Sequence, residues 1–149
     1  MNRAEKSLVL ILRMAAVLLL IALIPALMPF AWMEEIHRHL GMGELPEEPI
    51  VSYLTRSLSA RYAIHGALMF FVSLDVRRFL PVIRCLAVLG IVFGAGMLVL
   101  DVLAGMPLPW VLCEGPSIIL LGVAMLWLCG RCGRSATGSG PASCTTQDT

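Results

Sequence analysis

The stretch from Tyr53 to Arg78, YLTRSLSARYAIHGALMFFVSLDVRR, constrains this chain more than any other, because it reads as a membrane-crossing helix that carries charge. Leu74 is the last apolar residue before Asp75, Arg77 and Arg78. A hydrocarbon core of ~30 Å and a rise of ~1.5 Å per residue then put the other boundary near Thr55. Arg61 and His65 fall inside the hydrocarbon. Ser57, Arg61 and His65 recur at i, i+4 and i+8, so they form one polar stripe that Leu68 continues, while Arg56 lies off it and is able to snorkel. An arginine at mid-helix costs about 2.5 to 3.5 kcal/mol on insertion scales. Leu58, Ile64, Leu68, Phe70, Phe71, Val72 and Leu74 together return roughly 2 to 4 kcal/mol. The balance is near zero, so this helix needs neighbours.

The rest of the chain supplies them. Its 149 residues are 58% hydrophobic and 14% charged, with mean hydropathy +0.86. That is too apolar and too charge-poor for a water-soluble domain, and the length suits a single bundle of about four spans. The expected fold is all-α, a four-transmembrane-helix bundle with spans at about 14–32, 55–74, 82–100 and 111–129. An outside loop occupies 33–52, and a Gly/Ser/Thr-rich disordered tail is expected at 133–149. A basic segment before an apolar run is shared by the first span and by cleaved signal peptides. The span-length run and the poor small-x-small pattern near Ala31 favour an uncleaved helix, kinked at Pro25 and ended at Pro29. Phe30 to Leu40 is expected as a short amphipathic interfacial helix ended by Gly41.

Eight of the eleven basic residues (Arg3, Lys6, Arg13, Arg77, Arg78, Arg84, Arg131 and Arg134) share one side if the N-terminus is cytoplasmic, against Arg38, Arg56 and Arg61 on the other. The asymmetry predicts both termini inside. Arg61, Asp101 and Glu114 then all lie in the outer half of the bilayer. With His65 they form the candidate cluster, read first as a structural ion pair or interfacial charge and otherwise as a ligand or proton site, the latter making the chain a small transporter or ligand carrier that uses Arg61 and His65. Asp101 is the first partner expected for Arg61 and Glu114 the second. Asp101 lies seven residues after Gly94 and so shares its face, and Gly90 and Gly94 have the small-xxx-small spacing that lets helices approach closely. The same pair is the expected surface for a homo-oligomer or another membrane protein.

Two further motifs have a chemical and a plainer reading. Glu34, Glu35, His37 and His39 bring carboxylate and imidazole one turn apart, a spacing that suits a divalent metal, but no second helix outside the membrane supplies matching ligands. An interfacial polar face is the preferred reading. Cys129 and Cys132 have CxxC spacing, which in a redox protein lowers a thiol pKa, yet they lack a preceding strand or a second CxxC. Membrane-edge thiols open to acylation are the preferred reading, with a membrane redox component as the alternative. No cofactor signature, no haem-ligating histidine pair and no basic nucleic-acid-binding patch is present.

The run from Tyr53 through Leu128, with its glycine-rich third span, DVLAGMP, and the CEGP that opens the fourth, resembles uncharacterised small bacterial membrane proteins with four spans. In layout it is also similar to the DoxX-like families. The resemblance implies a four-span architecture and a bacterial inner-membrane location and carries mostly no assigned activity, with redox work in some DoxX-like relatives as its one enzymatic hint. Reporter fusions at Leu45 and at Gly138 are expected to report outside and inside respectively; the same side for both would overturn the four-span reading.

Overall fold

The computed structural model describes residues 3–137, and among these it holds helices and no strand. The helices are α1 (Arg3–Ile21), α2 (Leu23–Leu27), α3 (Phe30–His39), α4 (Pro49–Ser73), α5 (Leu80–Leu103), α6 (Leu108–Cys113) and α7 (Gly115–Thr137). Residues 133–137 of the expected tail continue α7, and 138–149 lie outside the described residues.

Proline sets most of the boundaries. Pro25 has no N–H to donate to the Ile21 carbonyl, and the chain turns at Ala22 between α1 and α2. Met28, ahead of Pro29, is extended with ψ 153°. Pro49 and Pro81 sit in the first turns of α4 and α5, where no N–H is needed. Gly41, with φ +76°, follows α3 as a C-terminal glycine should. One break was not foreseen. Pro116 removes the donor for the Leu112 carbonyl, and the helix interrupts at Glu114, so the expected single span at 111–129 is the two pieces α6 and α7.

Three stretches are long and apolar enough to cross a membrane: Arg3–Leu27, Leu80–Leu103 and Leu108–Gly133. The first begins earlier than the expected 14–32, because Arg3, Lys6 and Arg13 lie on the same continuing helix, and it ends before Pro29. α4 is equally long at 25 residues, but Arg56, Arg61 and His65 lower its apolar content below that of the other three. Leu18, Leu27, Val92, Leu103 and Leu120 all point outward, as suits a lipid-facing surface.

The long helices form two antiparallel hairpins. In the first, Arg56 of α4 bonds the end of α2, Gly66 meets Ala16 and Leu19 of α1, and Arg77 bonds Glu5 near the start of α1. In the second, Gly94 of α5 meets Gly115 of α7, Gly122 meets Ala87, and Arg84 reaches the Cys129 carbonyl. The hairpins join through α1 and α7, giving the packing order α4, α1, α7, α5. The shared core gathers Leu8, Leu12, Met69, Val72, Ile83 and Met125 with neighbours from the same end of each helix. We call this the inner end, marked by Glu5, Arg77 and Arg84.

Small residues make the second hairpin possible. A Cβ on Gly94 would lie 2.9 Å from the Gly115 carbonyl oxygen, and one on Gly122 would lie 2.8 Å from the Ala87 carbonyl oxygen. Backbone cannot move aside as a side chain does, so these two glycines are dictated by packing. Gly94 is thus used within the chain, whereas a Cβ on Gly90 would meet nothing within 4 Å. Gly94→Ala and Gly122→Ala are expected to lose about 1 to 3 kcal/mol through overpacking. Gly90→Ala should be neutral or stabilising by up to about 1 kcal/mol. Unfolding of the three variants in mild detergent checks this, and equal effects at all three sites would contradict the packing.

Candidate functional site

The polar groups toward the end of the bundle opposite Glu5 and Arg77 are distributed over both hairpins. α4 turns Ser59, Ala63 and Gly66 toward α1. Arg61, two residues from Ser59, therefore projects from another side of the helix, and it is exposed. Among the described residues it makes no ion pair and no hydrogen bond. Leu54, Leu58, Ile64 and Leu68 surround it and are exposed as well. His65, one turn on, is half-buried. Ser57, the first member of the stripe, turns its hydroxyl back to the Leu54 carbonyl at 3.1 Å.

Asp101 lies on the inward face of α5, in line with Ile83, Ala87 and Gly94, and is only 5% exposed. Its Oδ2 is buried with no hydrogen-bond partner. Buried carboxylate oxygens are nearly always bonded, so this atom needs an explanation. Glu114 stands at the break between α6 and α7, half-buried. Its side chain is near enough to α4 for its charge to act on the Tyr62 hydroxyl. Tyr62, which sequence reasoning missed, is half-buried on α4. The break adds polar backbone. The Val111, Leu112 and Cys113 carbonyls lack the helical donors they would have in an unbroken span. Neither Asp101 nor Glu114 forms the expected ion pair with Arg61 within 4 Å.

The ion pair that does bridge distant segments is at the inner end. Arg77 Nε and Nη2 donate to Glu5 Oε1 and Oε2 at 2.8 and 3.1 Å, a two-pronged contact between α1 and the α4–α5 turn. The signal for it was an acid at position 5 among Arg3, Lys6 and Arg13. Arg56 is equally committed. Rather than snorkelling, it donates to the Ala26 and Met28 carbonyls at 3.2 and 2.9 Å and to Ser52 Oγ at 3.2 Å. Those carbonyls end α2, where the chain has no further helical donor, so the guanidinium closes the α2–α3 junction.

The two remaining motifs are engaged locally. On α3, Arg38 faces Glu34 and Glu35 at 3.6 Å each, His39 lies 3.6 Å from Glu35, and His37 Nδ1 is 3.1 Å from the Gly43 carbonyl oxygen. Among the described residues no group of three His, Cys, Asp or Glu is arranged to hold a metal ion. Cys129 and Cys132 are free thiols, 0% and 8% exposed. They belong to the shared core, not to an accessible membrane edge, so the expected openness to acylation is not found.

No protein-family model, curated protein or solved structure matches the chain. With Arg61 and Asp101 on separate hairpins and unpaired, Arg61→Leu and Asp101→Leu are expected to lower the amount of folded protein in membranes additively. Partial restoration in the double variant would instead put the two side chains in contact.

Proposed function

We propose that the chain is a four-span protein of the bacterial inner membrane with both termini cytoplasmic, non-enzymatic, and that its outer-half cluster serves a bound ligand. The support for the fourth span is a matter of parity. α1 and α5 both begin at the inner end, beside the Glu5–Arg77 and Arg84 contacts. If both cross the membrane outward, the chain must return between them, and α4 is the segment long enough to do so. The surrounding helices supply what its marginal apolar content lacks. Arg56 is bonded to carbonyls, and Gly66 allows backbone-close packing on α1.

The observation that carries the ligand reading is Asp101, buried and with an unpartnered Oδ2 in a span. Intramembrane ionisable groups are costly and are retained where they meet a partner, and here the cluster does not supply that partner from within. The hairpins differ in what they offer. Asp101 and Glu114 on the second accept, while Arg61 and His65 on the first donate. A ligand with a hydrogen-bond donor or positive charge suits the acceptor side. The DoxX-like redox alternative, using Cys129 and Cys132, has less support because both are free thiols packed into the shared hydrophobic core.

Native mass spectrometry of protein extracted from its own membranes tests the proposal. The wild type is expected to carry a small-molecule adduct that Asp101→Asn loses while keeping its helicity. Identical spectra for the two proteins, or no adduct in either, would refute a ligand on Asp101.

A further inference from the structure

We propose that Arg61 binds the phosphodiester of an acidic phospholipid in the outer leaflet. The proposal rests on α4 crossing the membrane, and it concerns the opposite sign of ligand from Asp101. From Leu74 to Arg61 a helix rises about 20 Å, which leaves the Arg61 backbone about 10 Å below the outer edge of a ~30 Å hydrocarbon core. Helical side chains lean toward the N-terminus of their helix. The N-terminus of α4 is at the outer end, opposite the Glu5–Arg77 contact, so the Arg61 side chain leans toward the outer headgroups.

Three observations select what it meets there. Arg61 is exposed and, among the described residues, makes no ion pair or hydrogen bond, while Arg56, the other guanidinium of α4, is committed to the Ala26 and Met28 carbonyls. No Asp or Glu occurs on α4, so its own helix offers Arg61 no counter-charge. On the deeper side of it Ile64 and Leu68 are exposed and apolar, a surface along which an acyl chain can lie. A guanidinium above an apolar strip matches a phosphate above an acyl chain. Its planar fork takes two phosphate oxygens at once, which an ammonium cannot do. His65, one turn deeper on the same stripe, adds a ring N–H below the headgroup.

The test reconstitutes the full chain in nanodiscs with phospholipids bearing a photoreactive group in the acyl chain, with either phosphatidylglycerol or phosphatidylcholine heads, and maps crosslinks by mass spectrometry. The wild type is expected to crosslink phosphatidylglycerol along Ile64 to Leu68 about tenfold more than phosphatidylcholine, because both present the same phosphodiester but the choline cation of the second offsets its charge and repels the guanidinium. Arg61→Gln should remove the preference and Arg61→Lys should keep part of it. If Arg61→Gln fails to fold, the wild-type comparison and Arg61→Lys decide. Crosslinks to α4 without headgroup preference, or a preference unchanged in Arg61→Gln, overturn the lipid site and leave the span intact. Absence of α4 crosslinks with either lipid overturns the span itself. Loss of the preference on adding inorganic phosphate identifies a soluble anion as the occupant and overturns the lipid assignment.

Discussion

The two hairpins depend on each other through a single seam, the inner-end packing of α1 on α7. Leu8 and Leu12 are fully buried there together with Met125 and Cys129, and Ile83 brings α5 into the same cluster. In lipid such a seam is held by close packing, since lipid tails solvate apolar side chains as well as protein does. The Glu5–Arg77 contact sits beside it and ties the start of α1 to the turn that joins the hairpins. A bundle tied at one end leaves its other end to be organised by local contacts. Arg56 closes the first hairpin there, and Gly94 against Gly115 closes the second.

This arrangement explains why the polar groups of the outer half stay apart. Each hairpin buries its own side chains against its own partner helix, Ser59 and Ala63 against α1, Asp101 within α5 and its neighbours. The break at Glu114 keeps α6 and α7 from forming one straight rod. It also leaves a half-buried charged side chain and unused carbonyls at the junction. Interrupted helices in membrane proteins occur where the freed backbone is buried or lines a site. The acceptors Asp101 and Glu114 thus lie on one hairpin and the donors Arg61 and His65 on the other.

Most of the helical architecture was legible in the sequence. Long apolar runs and prolines at their ends dictate helices in lipid, because backbone polar groups there have no other way to be satisfied. The amphipathic α3 and its stop at Gly41 followed from local patterning, and the stripe of Ser57, Arg61 and His65 followed from helical period alone. The sequence also determined that α4 could not stand by itself, since its charges nearly cancel its apolar gain. What it did not contain was partnership. Two arginines five residues apart, Arg56 and Arg61, look alike in a list of residues. Only the tertiary structure assigned one to the carbonyls of Ala26 and Met28 and left the other exposed, because that choice depends on which side of α4 packs against α1. Likewise Gly94 read as a surface for another chain until its partner was seen to be Gly115, twenty-one residues on. Covalent order sets where helices start and stop, whereas which faces meet is decided by the packing of the whole chain.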